Sequence, residues 1–175
     1  MRARAETGNL AGAAGMLQEA PADCDRCLLS RARVAALSGD WRSADAWFTR
    51  AVAAAPSFPQ PHHEWGQQLL RKGDVAGALN HAKAAARISP RFADAHLLWG
   101  EALLAAGDPE GAVAEIATAA KLTPRWGRLH LKWGEALAKL GQTDEARAKW
   151  REAAGMDLSA VDRARVQELL KQQPS

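Results

Sequence analysis

The sequence HLKWGEALAKLG at residues 130–141 decides the fold, because close copies of it recur at a fixed interval. HLLWGEALLAAG occupies residues 96–107 and HHEWGQQLLRKG occupies residues 62–73, so successive copies begin 34 residues apart. A constant period of roughly 20 to 50 residues is typical of stacked supersecondary units, none of which can bury its apolar face alone. The chain is therefore predicted to be an array of repeats.

Composition excludes several classes of protein. An apolar fraction of 47% is too high for a wholly disordered chain, and the abundance of Ala with no Tyr favours helix. The net charge of +3 is spread without a basic block, which argues against a nucleic-acid partner. No apolar run is long enough for a membrane span, and the start MRARAETGNLAG lacks the apolar core of a signal peptide. These features predict a cytoplasmic protein.

Other residues keep the same period and describe the inside of one unit. Glycines, alanines and prolines each recur at one position: Gly39, Gly73, Gly107 and Gly141; Ala44, Ala78, Ala112 and Ala146; Pro56, Pro90 and Pro124. Within residues 93–126, Gly107 is a helix stop, Asp108 is a natural N-cap, and Pro109 suits the first turn of a second helix. A link this short forces the two helices to run antiparallel. Each unit is thus predicted to be a helix–turn–helix pair.

The repeats resemble the tetratricopeptide repeat family, in its alanine-rich bacterial form. In that family's frame, the small residue at position 8 of each unit is Ala32, Gly66, Gly100 or Gly134. The resemblance predicts repeats at residues 25–58, 59–92, 93–126 and 127–160, a half-repeat in 1–24, and a capping helix and tail in 161–175. It implies an all-α fold, a right-handed superhelical solenoid of antiparallel helix pairs. Ser159 is the expected N-cap of the last helix, with an apolar stripe at Val161, Val166, Leu169 and Leu170.

The chain departs from the family pattern at positions 4 and 7. The family usually has Trp at position 4 and Leu at position 7, whereas three units here have His at position 4 and Trp at position 7: His62, His96 and His130, and Trp65, Trp99 and Trp133. We expect structural histidines, each with a ring nitrogen bonded to a nearby backbone carbonyl. A shared metal ion is not expected, since packed helix axes lie about 8–10 Å apart and zinc ligands bind at about 2 Å. No metal and no cofactor are predicted.

The two cysteines, Cys24 and Cys27, form a CDRC motif at the junction into the first full repeat. With no second pair and no α/β pattern around them, two reduced thiols are the first expectation. A disulfide or redox switch and, less so, a metal site are the alternatives. The sequence has no glycine-rich phosphate loop and no recognisable nucleophile setting. The chain is therefore not expected to be an enzyme.

Function is expected on the concave face, which the first helix of each repeat forms. The family commonly binds through positions 2, 5, 9, 12 and 13, and these vary from unit to unit here while the packing positions do not. The predicted partner-binding residues are Arg26, Leu29, Arg33, His63, Gln67, Arg71, Asp94, Leu97, Glu101, Leu104, Arg128, Leu131, Glu135 and Lys139.

These positions predict a groove that is basic toward its N-terminal half and mixed or acidic beyond it. They lack the Lys and Asn with which some members of the family clamp a C-terminal carboxylate, so that ligand is not expected. The predicted function is a non-catalytic scaffold for a protein or peptide partner. The alternative is a self-assembly module that oligomerises through its half-repeat ends.

Overall fold

A computed structural model of the protein describes residues 25–172, with side chains from Cys27 onward. Within that range the chain forms nine α-helices and no strand. The helices are α1 (Asp25–Leu37), α2 (Trp41–Ala54), α3 (Gln60–Lys72), α4 (Val75–Ile88), α5 (Ala93–Ala106), α6 (Pro109–Leu122), α7 (Gly127–Lys139), α8 (Thr143–Ala154) and α9 (Ala160–Gln172). The fold is an all-α helical-repeat solenoid, as the sequence predicts.

The turn inside each repeat is fixed by a glycine and, in three repeats, by an aspartate. Gly39, Gly73, Gly107 and Gly141 have φ of 82°, 87°, 83° and 76°, the left-handed region that a side chain disfavours. In the third repeat Asp108 N–H donates to the Leu103 carbonyl at 2.9 Å, while the Asp108 carboxylate accepts from Gly111 N–H at 2.9 Å. One residue thus closes the end of α5 and caps the start of α6. Gln142, its counterpart in the fourth repeat, makes no such side-chain cap.

The two helices of a repeat approach closely because position 8 carries no large side chain. A Cβ added to Gly100 would lie 2.6 Å from Ile116 Cγ1 and 3.2 Å from the Ala112 carbonyl oxygen. Ala112 and its equivalents Ala44, Ala78 and Ala146 are all 0–1% exposed. Position 24 fills the remaining space with Phe48, Ala82, Ile116 or Trp150, which are likewise 0–1% exposed. The glycine and the small alanine therefore allow the contact, and position 24 adjusts the packed volume from one repeat to the next.

The helix pairs stack in chain order and the last helix closes the described array. α4 packs on α5 and α6 packs on α7, so each second helix lies against the next first helix. α9 packs on α8 and α7 and buries Val166 and Leu169 against Trp150. Ser159 Oγ accepts from Asp162 N–H at 3.0 Å, which confirms it as the N-cap. Val161 is 61% exposed, so its predicted place in the buried stripe is wrong: the helix turns it away from α8.

Two sequence predictions fall at the edge of the described range. The N-terminal half-repeat, residues 1–24, lies outside it, as does Cys24. Cys27 is disulfide-bonded, so the expectation of two reduced thiols is wrong for this structure. Among the described helices, none combines the length and apolarity needed to cross a bilayer.

Candidate partner-binding groove

A groove of about 810 Å³ opens on the side of the array formed by the first helices. α3, α5 and α7 lie side by side there, and α9 closes the C-terminal end. The groove is lined by Gln67, Leu70, Arg71, Leu98, Glu101, Leu104, Ala105, Arg128, Lys132, Glu135, Ala138, Lys139, Trp150, Arg165 and Leu169. Because these residues come from three repeats and the capping helix, the groove exists only in the stacked array.

The floor of the groove is aliphatic. Leu70 and Leu104 occupy position 12 of successive repeats and are half-buried, so part of each side chain remains open to solvent. Leu98, Trp150 and Leu169 lie beneath them and are buried. Position 12 lies one turn beyond position 8 on nearly the same helix face, so each of these leucines packs partly against the core while the rest of its side chain lines the groove. The floor therefore offers apolar contact surface without exposing the core.

Glu101 and Glu135, the two carboxylates of the lining, are already paired. Arg128 Nη2 donates to Glu101 Oε1 at 2.7 Å. Glu135 accepts from Lys132 Nζ at 2.8 Å and from Arg165 Nε at 3.2 Å. Although burial acts to lower it, pairing with Glu101 and Asp162 raises the pKa of Arg128, so the guanidinium keeps its charge. The predicted acidic character of this half is thus neutralised within the protein, a correction to the sequence-based charge map.

Seven of the fourteen predicted residues line the groove: Gln67, Arg71, Glu101, Leu104, Arg128, Glu135 and Lys139. Leu29 and Asp94 are half-buried outside it, and the side chain of Arg26 is not described. Arg33 is exposed, and its Nε donates to Glu64 Oε2 at 3.1 Å, which links the first and second repeats. The residues that line the groove come from α3 onward.

The other three predicted residues, at position 5, are buried. His63 is 7% exposed, Leu97 is 3% exposed and Leu131 is 1% exposed. His63 lies edge-on to Phe92 with ring centroids 5.3 Å apart, and burial lowers its pKa. Leu131 belongs to the apolar cluster around Trp150 that α9 covers. In these three repeats position 5 therefore packs against neighbouring helices, and a ligand in the groove cannot contact these side chains without displacing them.

Sequence reasoning missed Lys132 and Arg165, the two cations beside Glu135. Lys132 is at position 6, which is not among the family's usual binding positions, and Arg165 belongs to the capping helix outside the repeat frame. The signal that could have found Lys132 is its i,i+3 spacing to Glu135 on one helix face. Arg165 is 30 residues from Glu135 in the chain, and only the packing of α9 on α7 brings them together.

The position-4 histidines are structural in two repeats, which confirms the expected carbonyl bond. His96 Nε2 donates to the Pro90 carbonyl at 3.0 Å, and His130 Nε2 donates to the Pro124 carbonyl at 2.9 Å. The second nitrogen of His96 lies 2.8 Å from Glu115 Oε2. His130 Nδ1 lies 2.8 Å from Glu152 Oε2 but outside hydrogen-bonding geometry. Each ring thus ties the start of a first helix to the end of the preceding repeat.

His62 behaves differently from its two counterparts. Its Nδ1 lies 2.9 Å from Nδ1 of His81, so one imidazole donates and the other accepts. The His81 ring stacks on Trp65 with centroids 4.1 Å apart. Burial, and the neighbouring His62, lower the pKa of His81 to about 4. Across residues 25–172, no group of three or more His, Cys, Asp or Glu side chains is arranged to hold a metal ion.

Comparison with known proteins agrees with this architecture. A tetratricopeptide repeat family model matches residues 69–132. Among curated proteins none matches the chain in sequence.

Solved structures with the same fold include TTC0263, a thermophilic tetratricopeptide repeat protein of Thermus thermophilus. It has 24% identity and a TM-score of 0.74, over 85% of this chain and 82% of that one. MamA has 18% identity and a TM-score of 0.68, over 86% and 84% of the two chains. Yeast Tom70 has 15% identity and a TM-score of 0.75, with 85% of this chain matching 32% of that protein. At these identities the likeness establishes the fold.

Proposed function

We propose that this chain, a tetratricopeptide repeat protein, is a non-catalytic interaction scaffold that binds a peptide or helix of a partner protein in its groove. The observation that carries the proposal is the groove itself, about 810 Å³ in volume, with an aliphatic floor and charged walls. A ligand laid across it would bury Leu70 and Leu104 and contact side chains of three repeats. Apolar anchors within a polar surround are typical of interfaces between proteins.

The contrast between framework and lining supports the same conclusion. Position 15 is Gly and position 20 is Ala in all four repeats, where they serve packing and turns. Position 9, in contrast, carries Arg33, Gln67, Glu101 and Glu135, and position 13 carries Leu37, Arg71, Ala105 and Lys139. Five of these eight side chains are exposed, where a single side chain contributes little to stability: Arg33, Leu37, Arg71, Ala105 and Lys139. A constant scaffold with a varied face suits recognition of a ligand that differs along its length.

The lining gives no support to catalysis. It holds no serine, cysteine or histidine among its residues, so it has neither an activated hydroxyl or thiol nor an imidazole base. Its two carboxylates are hydrogen-bonded to Arg128, Lys132 and Arg165, so their oxygens already have partners within the protein. The composition of the lining therefore supports a binding role.

The proposal can be tested by altering the floor. Leu70→Asp/Leu104→Asp places two charges where a ligand's apolar groups would lie, while Ala76→Asp/Ala114→Asp places the same charges on exposed positions of α4 and α6, outside the groove. We expect partner capture from a lysate to survive the second pair of substitutions and to be lost with the first. Circular dichroism of both variants should match that of the wild type. Equal capture by all three would refute the groove as the binding surface.

Self-assembly remains a second candidate because large apolar side chains are exposed. Leu37, Phe58 and Val161 are 52%, 65% and 61% exposed, on α1, before α3 and on α9. If copies of the chain associate through these residues, the mass measured by light scattering should rise with concentration and fall back in Val161→Glu or Leu37→Glu. A mass that equals the monomer throughout would reject this candidate.

A further inference from the structure

We infer that the occupant of the groove is an acidic, extended protein segment, whose carboxylates pair with Arg71 and Lys139 and whose apolar side chains rest on Leu70 and Leu104. The inference rests on the proposed function and adds the chemistry of the partner. It follows from the distribution of charge in the lining, from the pairing state of each charge, and from the spacing of the helices.

The lining has an excess of positive charge. Five of its side chains are basic, namely Arg71, Arg128, Lys132, Lys139 and Arg165, and two are acidic, namely Glu101 and Glu135, which leaves a net charge of +3. The whole chain also carries +3. The remaining residues of the sequence therefore sum to no net charge, and the excess positive charge of the chain equals that of the groove lining. A concave surface with a net charge of one sign attracts ligands of the other sign.

Three of the five cations are satisfied internally. Arg128 is bound to Glu101 at 2.7 Å, and Lys132 and Arg165 are bound to Glu135 at 2.8 and 3.2 Å. Arg165 also donates to Glu168 at 3.0 Å. A partner's carboxylate could bind any of these three cations only by competing with an existing ion pair.

Arg71 and Lys139 are different, because both are exposed and neither has a carboxylate within ion-pair distance among the described residues. The one polar contact of Arg71 in that set is with Gln68 Oε1, a neutral acceptor, at 3.4 Å. Both lie in the last turn of their helices, next to unsatisfied carbonyls that favour a positive charge. They are the two groove cations with free capacity for an external anion.

The spacing of these two cations sets the spacing of the ligand's charges. Arg71 and Lys139 occupy position 13 of α3 and α7, and the same position on the intervening α5 is Ala105, whose small side chain leaves the path between them open. Neighbouring helix axes lie about 8–10 Å apart, so the two cations are about 16–20 Å apart. An extended segment advances about 3.3 Å per residue, which places its two carboxylates about five or six residues apart. Side chains between them face Leu70 and Leu104.

The floor favours a protein segment over a nucleic acid. Single-stranded nucleic acids bind basic grooves largely by stacking their bases on aromatic rings. Trp150 is the one aromatic residue of the lining, and it is 1% exposed. An aliphatic floor offers apolar side chains a complementary surface and offers bases no platform.

The test is fluorescence anisotropy with three labelled peptides that share leucine anchors and differ at two positions spaced as above, where they carry Glu, Gln or Lys. A short oligothymidylate is the fourth probe. We expect the Glu peptide to bind about tenfold more tightly than the Gln peptide, because it can form two partly exposed ion pairs. Its affinity should fall as the salt concentration is raised. Arg71→Glu/Lys139→Glu should abolish this preference. Lys121→Glu/Arg151→Glu, an equal charge change in the last turns of α6 and α8 outside the groove, should preserve it.

Several results would overturn the inference. If the Gln or Lys peptide or the oligothymidylate binds more tightly than the Glu peptide, the partner is not acidic protein. When that binding is still lost with Leu70→Asp/Leu104→Asp, the proposed function survives and only the assigned chemistry fails. If no probe responds to the groove substitutions, the proposed function fails together with the inference.

Discussion

Lowering the pH should destabilise the protein through the His62–His81 pair, and His81 provides the means to measure it. The ring of His81 lies between His62 and Trp65. Its Nδ1 is 2.9 Å from Nδ1 of His62, and its centroid is 4.1 Å from that of the Trp65 ring. Burial is the largest cause that lowers the pKa of His81 to about 4, and repulsion from His62 adds to it, while Asp45 and Asp74 act in the opposite direction. The folded protein therefore holds this imidazole neutral.

The sign of the effect follows from linkage between protonation and folding. The unfolded chain protonates His81 near its ordinary pKa of 6.5, whereas the folded chain protonates it near 4. Between these values the unfolded state binds more protons, so stability falls as the pH drops below about 6.5 and the loss is complete near pH 4. The full displacement corresponds to about 3 kcal/mol, and discounting for the partly exposed ring leaves about 1.5 kcal/mol.

The assay is urea unfolding followed by circular dichroism at pH values from 7 to 4, with wild type and two non-titrating variants. His81→Phe keeps a ring against Trp65, and His81→Gln keeps a polar partner for His62. Whatever their stability at pH 7, both variants should lose about 1.5 kcal/mol less than wild type on acidification. The comparison cancels the carboxylates that titrate in the same range. An identical loss of stability in all three proteins would refute the claim that the fold holds His81 neutral.

Three further predictions concern the framework. Gly100→Ala should lower the free energy of unfolding by about 2 kcal/mol, since the new Cβ would lie 2.6 Å from Ile116. This loss should exceed that of Gly107→Ala, whose Cβ would meet nothing within 4 Å and whose only cost is the φ of +83°. The reverse order in thermal unfolding would contradict the importance of the close helix approach. Gln142→Asp should stabilise the protein by about 0.5–1 kcal/mol by adding the missing cap of α8, and an unchanged unfolding midpoint would count against it. Asp108→Ala should cost about 1 kcal/mol, measured in the same way, and a neutral result would show that the bond to Gly111 contributes nothing.

The framework could be predicted from the sequence because each feature depends on local chemistry. A glycine at position 15 ends a helix in the left-handed region wherever it occurs, and an aspartate next to it caps the following helix regardless of neighbours. The second helices α2, α4 and α6 end two residues before Pro56, Pro90 and Pro124, where the repeated prolines place the boundary. Repetition multiplied this evidence, since each local signal appears three or four times.

The groove was harder to predict because its charges depend on contacts between distant residues. Counting Glu101 and Glu135 as free acids gave an acidic half, but Arg165 from the capping helix and Arg128 neutralise them. A repeat frame carries no information about a helix outside the frame. Burial at position 5 was missed for a related reason: the family pattern gives the average place of a position, while the packing of α9 on Leu131 decides whether that side chain is accessible here.

The histidines at position 4 make some contacts that the sequence could predict and one that it could not. At His96 and His130 the preceding proline carbonyl, six residues away in the chain, is a near neighbour in any repeat with this turn, so the bond could be expected. At His62 the partner is His81, because position 23 of that repeat is a second histidine, whereas the third repeat has Glu115 there. The difference arises from one residue on the facing helix, which the motif itself does not contain.

Site-specific photo-crosslinking from the floor of the groove would show directly whether a partner binds there. A photoreactive amino acid replaces Leu104 in one protein and the exposed Ala114 on α6 in another, and each is irradiated with the captured partner. If the groove binds the partner, position 104 should crosslink to a partner segment with carboxylates on either side of its apolar residues, and position 114 should give no crosslink. Crosslinking from position 114 alone, or from position 104 only to further copies of this chain, would contradict binding of the partner in the groove.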